Sequence, residues 1–213
     1  MYAGSTLKDY YEHLWEELPE DLDPPEVELR TRLLQSEIRS GDRVLDLGCG
    51  SGTFTAVAAA AGAASVIGAE VAEAALLRAR IAHLELDFRL VPIDGPLPLD
   101  DASVDVVWCS EVIEHIADTA AWLSDVRRVL APGGRLLLTT PAHGRVRLLL
   151  GGVERYSDPQ GDHLHLYTAR SLRTLLGGFG FAGTRVWAAS GPPLFRRTLF
   201  ARAVRARVGV KRP

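Results

Sequence analysis

The sequence predicts an α/β protein whose strands form a mostly parallel sheet with helices on both faces. Along most of the chain, the spacing of apolar residues switches between the two-residue period of strands and the longer period of helices. The strand-helix alternations recur about every 25 residues, which indicates parallel strands joined by right-handed crossovers. At 213 residues, 47% of them hydrophobic, the chain is long enough for a full core.

Periodicity and turn residues set the bounds of the predicted elements. Pro24 and Pro25 suit the start of the second helix, and the alanine-rich third helix can pack closely on a sheet. The turn "APGG", residues 131–134, separates the fifth helix from the fifth strand. The predicted helices cover residues 7–18, 24–38, 54–62, 72–83, 119–130 and 168–180. The predicted strands cover residues 43–48, 65–70, 87–93, 104–110, 135–141 and 182–190.

Cysteine content and hydropathy indicate a cytoplasmic protein. Cys49 and Cys109 lie in unrelated contexts without metal-ligand spacing, so neither a disulfide framework nor a zinc site is expected. The start of the chain lacks the basic and apolar regions of a signal peptide, and the longest apolar tract is interrupted by Gly62 and Gly68. We therefore expect neither a signal peptide nor a membrane span.

A glycine-rich loop follows the first predicted strand in "RVLDLGCGSGTF". Gly48, Gly50 and Gly52 give the spacing Gly-x-Gly-x-Gly, whereas a dinucleotide loop needs its third glycine at position 53. Asp46 stands two residues before the first glycine. Because a carboxylate there would repel a pyrophosphate and attract an ammonium group, the loop favours a nucleoside ligand with a cationic amino-acid end.

Two more acidic residues are predicted at the ends of successive strands. Glu70 ends the second strand and is placed to accept hydrogen bonds from ribose hydroxyls, in a dinucleotide as well as in another nucleoside. Asp94 follows the third strand and can accept from an exocyclic adenine amine, while the Gly95 backbone can approach the ring. Open α/β sheets bind ligands at this carboxyl edge.

Four motifs in order resemble the class I S-adenosylmethionine-dependent methyltransferases, small-molecule subgroup (type 11/12-like). They are "VLDLGCGSG", "VIGAE", "LPLDDASVDVVWCSEVIEHI" and "RRVLAPGGRLLLTTP". The resemblance covers roughly residues 40–141, with a weaker similarity in "DHLHLYTARSLRTLLGGFGF". It implies a Rossmann-like, doubly wound, mostly parallel seven-stranded sheet whose last strand is reversed.

The resemblance also implies a division of the chain and a set of binding residues. A single methyltransferase domain, residues 1–213, would comprise an N-terminal helical lid (1–40), a cofactor-binding core (41–141) and a region holding the substrate cover, last strands and basic tail (142–213). The expected cofactor is S-adenosyl-L-methionine. The residues expected to bind it are Asp46, Gly48, Cys49, Gly50, Glu70, Val71, Asp94, Gly95, Ser110 and Glu111.

Methyl transfer to oxygen would gain from a base near the acceptor. The methyl of a sulfonium is already activated, so the main work of such an enzyme is in-line alignment. Histidine is the natural base at neutral pH. His115, His163 and His165 are the candidates, and we predict His163 as the catalytic base.

A divalent metal is a second, less favoured expectation at the same place. In "SEVIEH", Glu111, Glu114 and His115 would share one helical turn. Similar runs bind magnesium in some relatives, namely quinone-ring O-methyltransferases and small-RNA 2′-O-methyltransferases, the latter with a further histidine comparable to His163. Many metal-free members also carry such a run, so we predict no metal ligands.

The C-terminal region is basic. Residues 163–213 hold ten basic and no acidic side chains, although the net charge of the chain is −3. In the segment 194–208 apolar residues recur at helical spacing among arginines, which fits an amphipathic helix on an anionic membrane. The alternative, which we favour, is that this segment contains the last strand. Nucleic acid is not an expected partner, because no aromatic and basic platform is present.

The sequence thus predicts an S-adenosylmethionine-dependent methyltransferase that acts on a small molecule, more readily at oxygen than at nitrogen or carbon. A nicotinamide-dependent oxidoreductase is the alternative enzyme, since a ribose-binding acid suits both cofactors. A non-catalytic nucleoside-binding protein that docks on a membrane or partner through its tail is the alternative from another class. The oligomeric state is not predicted.

Overall fold

The computed structural model describes residues 7–19, 23–143, 163–192 and 196–207. Its helices are α1 (Leu7–Glu17), α2 (Val27–Glu37), α3 (Thr53–Ala60), α4 (Glu73–Ala82), α5 (Thr119–Val129) and α6 (Ala169–Gly178), with a short 3-10 helix at Ile113–His115. Its strands are β1 (Arg43–Leu47), β2 (Ser65–Glu70), β3 (Asp87–Leu90), β4 (Val104–Ser110), β5 (Leu130–Pro141), β6 (Phe181–Ala189) and β7 (Thr198–Arg205).

The described strands form one seven-stranded sheet in the order β3-β2-β1-β4-β5-β7-β6. Strands β1 to β5 pair in parallel, and β7 lies antiparallel between β5 and β6. The predicted Rossmann-like α/β fold with a reversed last strand is therefore confirmed. The strand order reverses between β1 and β4, and the crevice outside the carboxyl ends at such a point is where open α/β sheets hold ligands.

Helices cover both faces of the sheet and bury two main apolar clusters. On one face, α5 and α6 pack on the sheet through residues such as Leu123 and Leu172, both fully buried. On the other face, α2 and α3 pack through Leu34 and Phe54, and the Phe54 ring lies 5.3 Å from that of Trp108. These two layers fix the carboxyl ends of β1, β2 and β4, which carry the candidate site.

The basic segment near the C-terminus departs from its helical spacing. Residues 198–205 form β7, whose first four residues are all buried. These four residues alternate between the two faces of the sheet, so both faces of β7 are covered there and its apolar residues lose the simple two-residue alternation. The prediction of an amphipathic helix in this segment is therefore wrong, and the favoured alternative of a last strand is confirmed. Residues 193–195 and 208–213 lie outside the described residues.

The predicted turn at residues 131–134 needs correction, and the predicted substrate cover after residue 141 stays a prediction. The expected turn at 131–134 lies within β5, where the pairing with β4 shifts from Val104–Leu130 to Val106–Arg135 and accommodates the extra residues as an irregularity. Of the predicted substrate cover that follows residue 141, residues 144–162 lie outside the described part. Within the described ranges, no helix combines the length and the hydropathy that crossing a membrane requires.

Candidate functional site

The glycine loop makes its turn directly against β2 and β4. The Gly48 and Cys49 amides both donate to Ala69 O, at 2.8 and 3.1 Å. Gly48 and Gly50 have φ angles of 79° and 53°, in the left-handed region that favours glycine. A Cβ on Gly48 would collide with the side chain of Val112. The loop therefore needs glycine both for its conformation and for its close approach to neighbouring residues.

A cavity of about 210 Å³ opens at this loop. Its floor is the glycine loop and the end of β4, and its outer wall comes from the N-terminal part of the chain. The lining residues from the loop and its neighbours are Gly48, Cys49, Gly50, Ser51, Thr53, Phe54, Arg78, Ser110 and Glu111. Those from the N-terminal part are Trp15, Leu18, Pro19, Asp23, Pro24, Pro25 and Arg30.

Asp46 lies behind the loop and does not line this cavity. Its side chain is 2% exposed and accepts a hydrogen bond of 2.6 Å from Thr55 Oγ1 at the start of α3. Burial raises the pKa of Asp46 to about 7, although the Thr55 hydrogen bond opposes the shift. The structure therefore connects this carboxyl to α3 and gives it no direct access to a ligand in the cavity.

Glu70 ends β2 with its carboxylate held by backbone amides. Its Oε2 accepts from the Gly50 amide at 3.0 Å, and its Oε1 accepts from Val71 and Ala72 at 2.7 and 3.3 Å. Burial raises the pKa of Glu70, and these amide hydrogen bonds oppose that shift. Glu70 thus joins the glycine loop to the start of α4, and Val71 contributes its amide to that junction.

The other predicted residues near the loop differ in placement. Asp94 and Gly95 follow β3 and are exposed, and neither lines the cavity. Gly95 has a φ of 112°, so the turn after β3 also needs glycine. Cys49 lines the cavity, and burial raises the pKa of its thiol, so the thiol is not an activated nucleophile.

A charged pair that the sequence reasoning missed stands on the opposite wall. Arg30 of α2 is 2% exposed, and its Nη2 lies 3.0 Å from Glu111 Oε1. Arg30 Nε has no hydrogen-bond partner among the described residues. The one signal in the sequence is the spacing of Arg30 four residues before Leu34, which places both on the buried face of α2.

Glu111 directly follows β4 in a strained conformation. Its φ is 55°, uncommon for a residue with a side chain. Thr139 Oγ1 donates to Glu111 Oε1 at 3.0 Å, and Ser110 Oγ lies 3.0 Å from the same hydroxyl. Burial raises the pKa of Glu111, while the Arg30 charge lowers it. Ser110 and Glu111 therefore reach the cavity together, as expected for residues at the end of β4.

A second cluster joins the 3-10 helix to the segment that starts at residue 163. Ligand atoms of Glu114, His115 and His163 lie within 4.8 Å of one another, a spacing at which they could hold a metal ion. Glu114 is fully buried and accepts from Thr140 Oγ1 at 2.9 Å; burial raises the pKa of Glu114 to about 8. The expectation that Glu111 shares this turn is wrong, because Glu111 precedes the 3-10 helix and pairs with Arg30.

Helix α1 lies over both the cavity and the cluster of Glu114, His115 and His163. A Cβ on Gly50 would lie 2.8 Å from the indole of Trp15, so the indole rests directly on the glycine loop. The ring of Tyr11 lies edge-on to that of His115, with 6.2 Å between centroids, and the His115 and His163 rings are 4.8 Å apart. The cavity and the histidine cluster are thus neighbouring parts of one region beneath α1.

This fold and this glycine loop define a protein of the nucleoside-binding α/β class, and comparison with known proteins identifies the family. The family model described as a methyltransferase domain matches residues 14–186. The chain therefore belongs to the methyltransferase domain family. This membership confirms the predicted class, a methyltransferase domain, and does not support the alternative of a nicotinamide-dependent oxidoreductase.

Individual relatives agree with this assignment. The ubiquinone biosynthesis O-methyltransferase of Idiomarina loihiensis is 35% identical over 133 residues, which cover 59% of this chain and 54% of that protein. A solved S-adenosylmethionine-dependent methyltransferase from Mesorhizobium loti superposes with a TM-score of 0.68 at 22% identity, covering 85% of this chain and 99% of the other. The chain spans about half the length of the curated relatives it matches.

Proposed function

We propose that the protein transfers a methyl group from S-adenosylmethionine to an oxygen of a small-molecule acceptor. The observation that carries this proposal is the cavity between the glycine loop and the Arg30–Glu111 pair, with the Glu114, His115 and His163 cluster beside it. The first part offers groups for a zwitterionic amino acid, and the second offers groups that accept a proton. The name of the relatives, O-methyltransferases, supports oxygen as the acceptor atom.

The amino-acid end of the cofactor would lie at the wall that holds Arg30. Among the described residues, Arg30 Nε–H has no hydrogen-bond partner, and in this proposal it donates to the carboxylate of the cofactor. Glu111 can accept from the ammonium group. Gly48 and Gly50 line the same space. In this proposal Asp46 acts indirectly, since its hydrogen bond to Thr55 fixes the glycine loop against α3.

The nucleoside end would extend toward the ends of β2 and β3. Glu70 is held by three amides, and its remaining lone pairs can accept from ribose hydroxyls. Asp94 and Gly95 follow β3 on the same carboxyl edge and stay our candidates for the adenine. Val71, which follows Glu70, is the residue we place beside the nucleoside.

At the acceptor, the chain positions groups and accepts a proton. The bound sulfonium supplies an activated methyl group, which leaves behind the neutral thioether S-adenosylhomocysteine. His163 takes the proton of the acceptor hydroxyl, so the attacking oxygen carries more charge when it meets the methyl carbon. The His115 ring lies 4.8 Å from that of His163, and the buried Glu114 places a carboxylate oxygen within 4.8 Å of both imidazoles. Tyr11 and α1 would limit the access of water.

The same cluster supports a second candidate role, a divalent cation that binds the acceptor oxygens. Two imidazoles and a carboxylate are a chemically suitable set of ligands. Glu111, the fourth expected ligand, is engaged by Arg30 instead. The acid-base role therefore stays our proposal, and a requirement for magnesium in methyl transfer would favour the metal.

The acceptor class and the location are also proposals. The relatives act in ubiquinone biosynthesis by name, and a phenol is a chemically suitable acceptor because His163 can deprotonate its hydroxyl. We propose a cytoplasmic protein that makes no contact with nucleic acid. A peripheral contact between its basic C-terminal region and a membrane would bring it close to lipid-like acceptors.

Calorimetry with two ligands, followed by an assay of methyl transfer, tests the proposal. We expect S-adenosylhomocysteine to bind and NAD not to bind, followed by methyl transfer from S-adenosylmethionine to a catechol. Binding of NAD alone would overturn the proposed cofactor. Binding of S-adenosylhomocysteine without transfer to any phenolic, amine or carbon acceptor would favour the non-catalytic binding protein, and liposome co-sedimentation lost on deletion of residues 208–213, which leaves β7 (Thr198–Arg205) in place, would support its docking role.

A further inference from the structure

The start of α4 lacks a cap of its own. The residue at its N-cap position is Ala72, which has no side-chain hydrogen-bond acceptor. The amides of Glu73 and Ala74 instead donate to the two carboxylate oxygens of Glu12, at 2.8 and 3.0 Å. Glu12 belongs to α1, far away in the sequence. The lid helix therefore caps α4 from outside.

Glu12 completes a row of amides that begins at the candidate ribose carboxylate. The amides of Val71 and Ala72 donate to Glu70, and the next two amides donate to Glu12. Two carboxylates from different parts of the chain thus bind four successive amides at the positive end of one helix. The position of α1 is in this way linked directly to the strand end that carries Glu70.

The glycine loop and α4 make further contacts with α1 and with Leu18, which follows it. Trp15 rests on Gly50 of the glycine loop. Arg78 of α4 lies 5.9 Å from the Trp15 ring centroid and donates to Leu18 O at 2.8 Å. None of the residues of α1 is buried. Because so little apolar surface attaches the helix, its position depends strongly on these specific contacts.

The cavity beneath α1 is small for a nucleoside amino acid. Its volume is about 210 Å³, whereas sites for ligands of that size commonly measure about 300 to 1,000 Å³. Trp15, Leu18 and Pro19 form part of its outer wall. A bound cofactor of that size therefore needs more room than this cavity has, and α1 with the residues that follow it forms part of the wall that limits the space.

We propose that Glu12 is a positioning residue that ties α1 to the start of α4 and so retains the cofactor. The inference rests on the proposed function, since it names what controls cofactor exchange at that site. Breaking the tie releases α1, removes Trp15 from the loop and speeds cofactor dissociation. Because α1 also carries Tyr11 against His115, the measurement that isolates the proposal is cofactor dissociation and not turnover.

The test measures dissociation of S-adenosylhomocysteine by stopped flow. Glu12→Ala should raise the dissociation rate about 10-fold or more, because the variant loses the two hydrogen bonds that the Glu12 carboxylate accepts from α4. The matched control is Glu16→Ala on the same helix, whose side chain is 67% exposed and near His13; its rate should equal that of the wild type. A rate within two-fold of the wild type for Glu12→Ala would overturn the proposal.

A second variant distinguishes two roles of Glu12, the positioning of α1 and the capping of α4. Ser at position 72 can cap α4 locally, so Glu12→Ala with Ala72→Ser should recover the melting temperature and keep the fast dissociation. Recovery of slow dissociation as well would show that Glu12 serves only as a cap, and would overturn the proposal.

Amide hydrogen exchange, measured in the protein without cofactor, tests whether Glu12 positions α1 independently of cofactor binding. Amides of α1 should exchange faster in Glu12→Ala and in the double variant, while amides of α4 regain protection only in the latter. Unchanged exchange of α1 would refute the tie. If the wild type fails to bind S-adenosylhomocysteine, the proposed function is wrong, and exchange of α1 still decides whether Glu12 holds the helix.

Discussion

Arg30, which is buried, and Glu111, whose side chain is 28% exposed, form an ion pair beside the glycine loop, with Nη2 and Oε1 3.0 Å apart. Arg30 comes from α2, which precedes the sheet, and Glu111 from the turn after β4. The pair leaves Arg30 Nε without a partner in the described part of the chain. A buried donor in a cavity wall is costly unless it meets an acceptor, and a ligand carboxylate would supply one.

Replacing Arg30 should therefore weaken cofactor binding. We expect Arg30→Ala to raise the Kd for S-adenosylhomocysteine about 30-fold or more, which corresponds to ~2 kcal/mol or more for a buried charged contact. Calorimetry measures the change, and Arg32→Ala, on the exposed side of the same helix, serves as the control. Arg30→Lys should recover part of the affinity. Equal Kd values for Arg30→Ala and the wild type would remove Arg30 from the cofactor site.

Glu70 gives a separate prediction at the nucleoside end. Glu70→Gln keeps the shape of the side chain, loses the charge that strengthens hydrogen bonds from ribose hydroxyls, and replaces one of the two oxygens that accept from backbone amides by an NH2 group. We expect the Kd for S-adenosylhomocysteine to rise by about 10- to 100-fold, the usual cost of a charge-assisted hydrogen bond. Asp87→Asn on the exposed β3 edge is the control. An unchanged Kd for Glu70→Gln would contradict the ribose role.

The sequence could predict much of this fold because the strands are long and periodic. The bounds of β2 and β4 agree with prediction to the residue, since each is a buried run between clear turn signals. The tail could not be assigned in the same way. Its spacing fits a helix, and only pairing with β5 and β6 makes it a strand.

The candidate site was predictable in its location and less so in its contacts. The glycine spacing and the acid at the end of β2 place the loop and Glu70 correctly at the carboxyl edge. A strand pattern does not reveal the partner of a side chain, so the engagement of Asp46 with Thr55 was not foreseen. The contribution of Arg30 was also missed, because its partner Glu111 is distant in sequence and meets it only in the folded chain.

His163 should matter for turnover and not for cofactor binding. His163→Ala should lower kcat about 100- to 10,000-fold on a phenolic acceptor, the range for loss of a general base, while the Kd for S-adenosylhomocysteine stays within two-fold. His13→Ala on the exposed side of α1 is the control. A kcat equal to that of the wild type would reject the base.

The same assay distinguishes a base from a metal ligand. If His163 acts as a base, EDTA leaves wild-type kcat unchanged, and the activity of His163→Ala rises with pH as the acceptor ionises by itself. If the cluster with Glu114 and His115 holds a cation, EDTA abolishes the activity and magnesium restores it.

Asp46 should make folding stability depend on pH. Burial raises its pKa from 3.8 to about 7, so between those values the folded state binds a proton that the unfolded chain has released. Its contribution to the free energy of unfolding is therefore fully present below pH 3.8 and is lost as pH rises toward 7. The slope for one proton is at most ~1.4 kcal/mol per pH unit.

Asp46→Asn should remove this dependence, because the amide oxygen can still accept from Thr55 and carries no charge. Urea unfolding at pH 5, 6, 7 and 8 measures it: the wild type should lose stability relative to Asp46→Asn as pH rises to 7, with little further change above. Asp87→Asn, at an exposed carboxylate, should follow the wild type. A stability difference between Asp46→Asn and the wild type that is constant over this range would mean that Asp46 is ionised throughout, and its burial behind the glycine loop would then need a cationic partner in the folded protein.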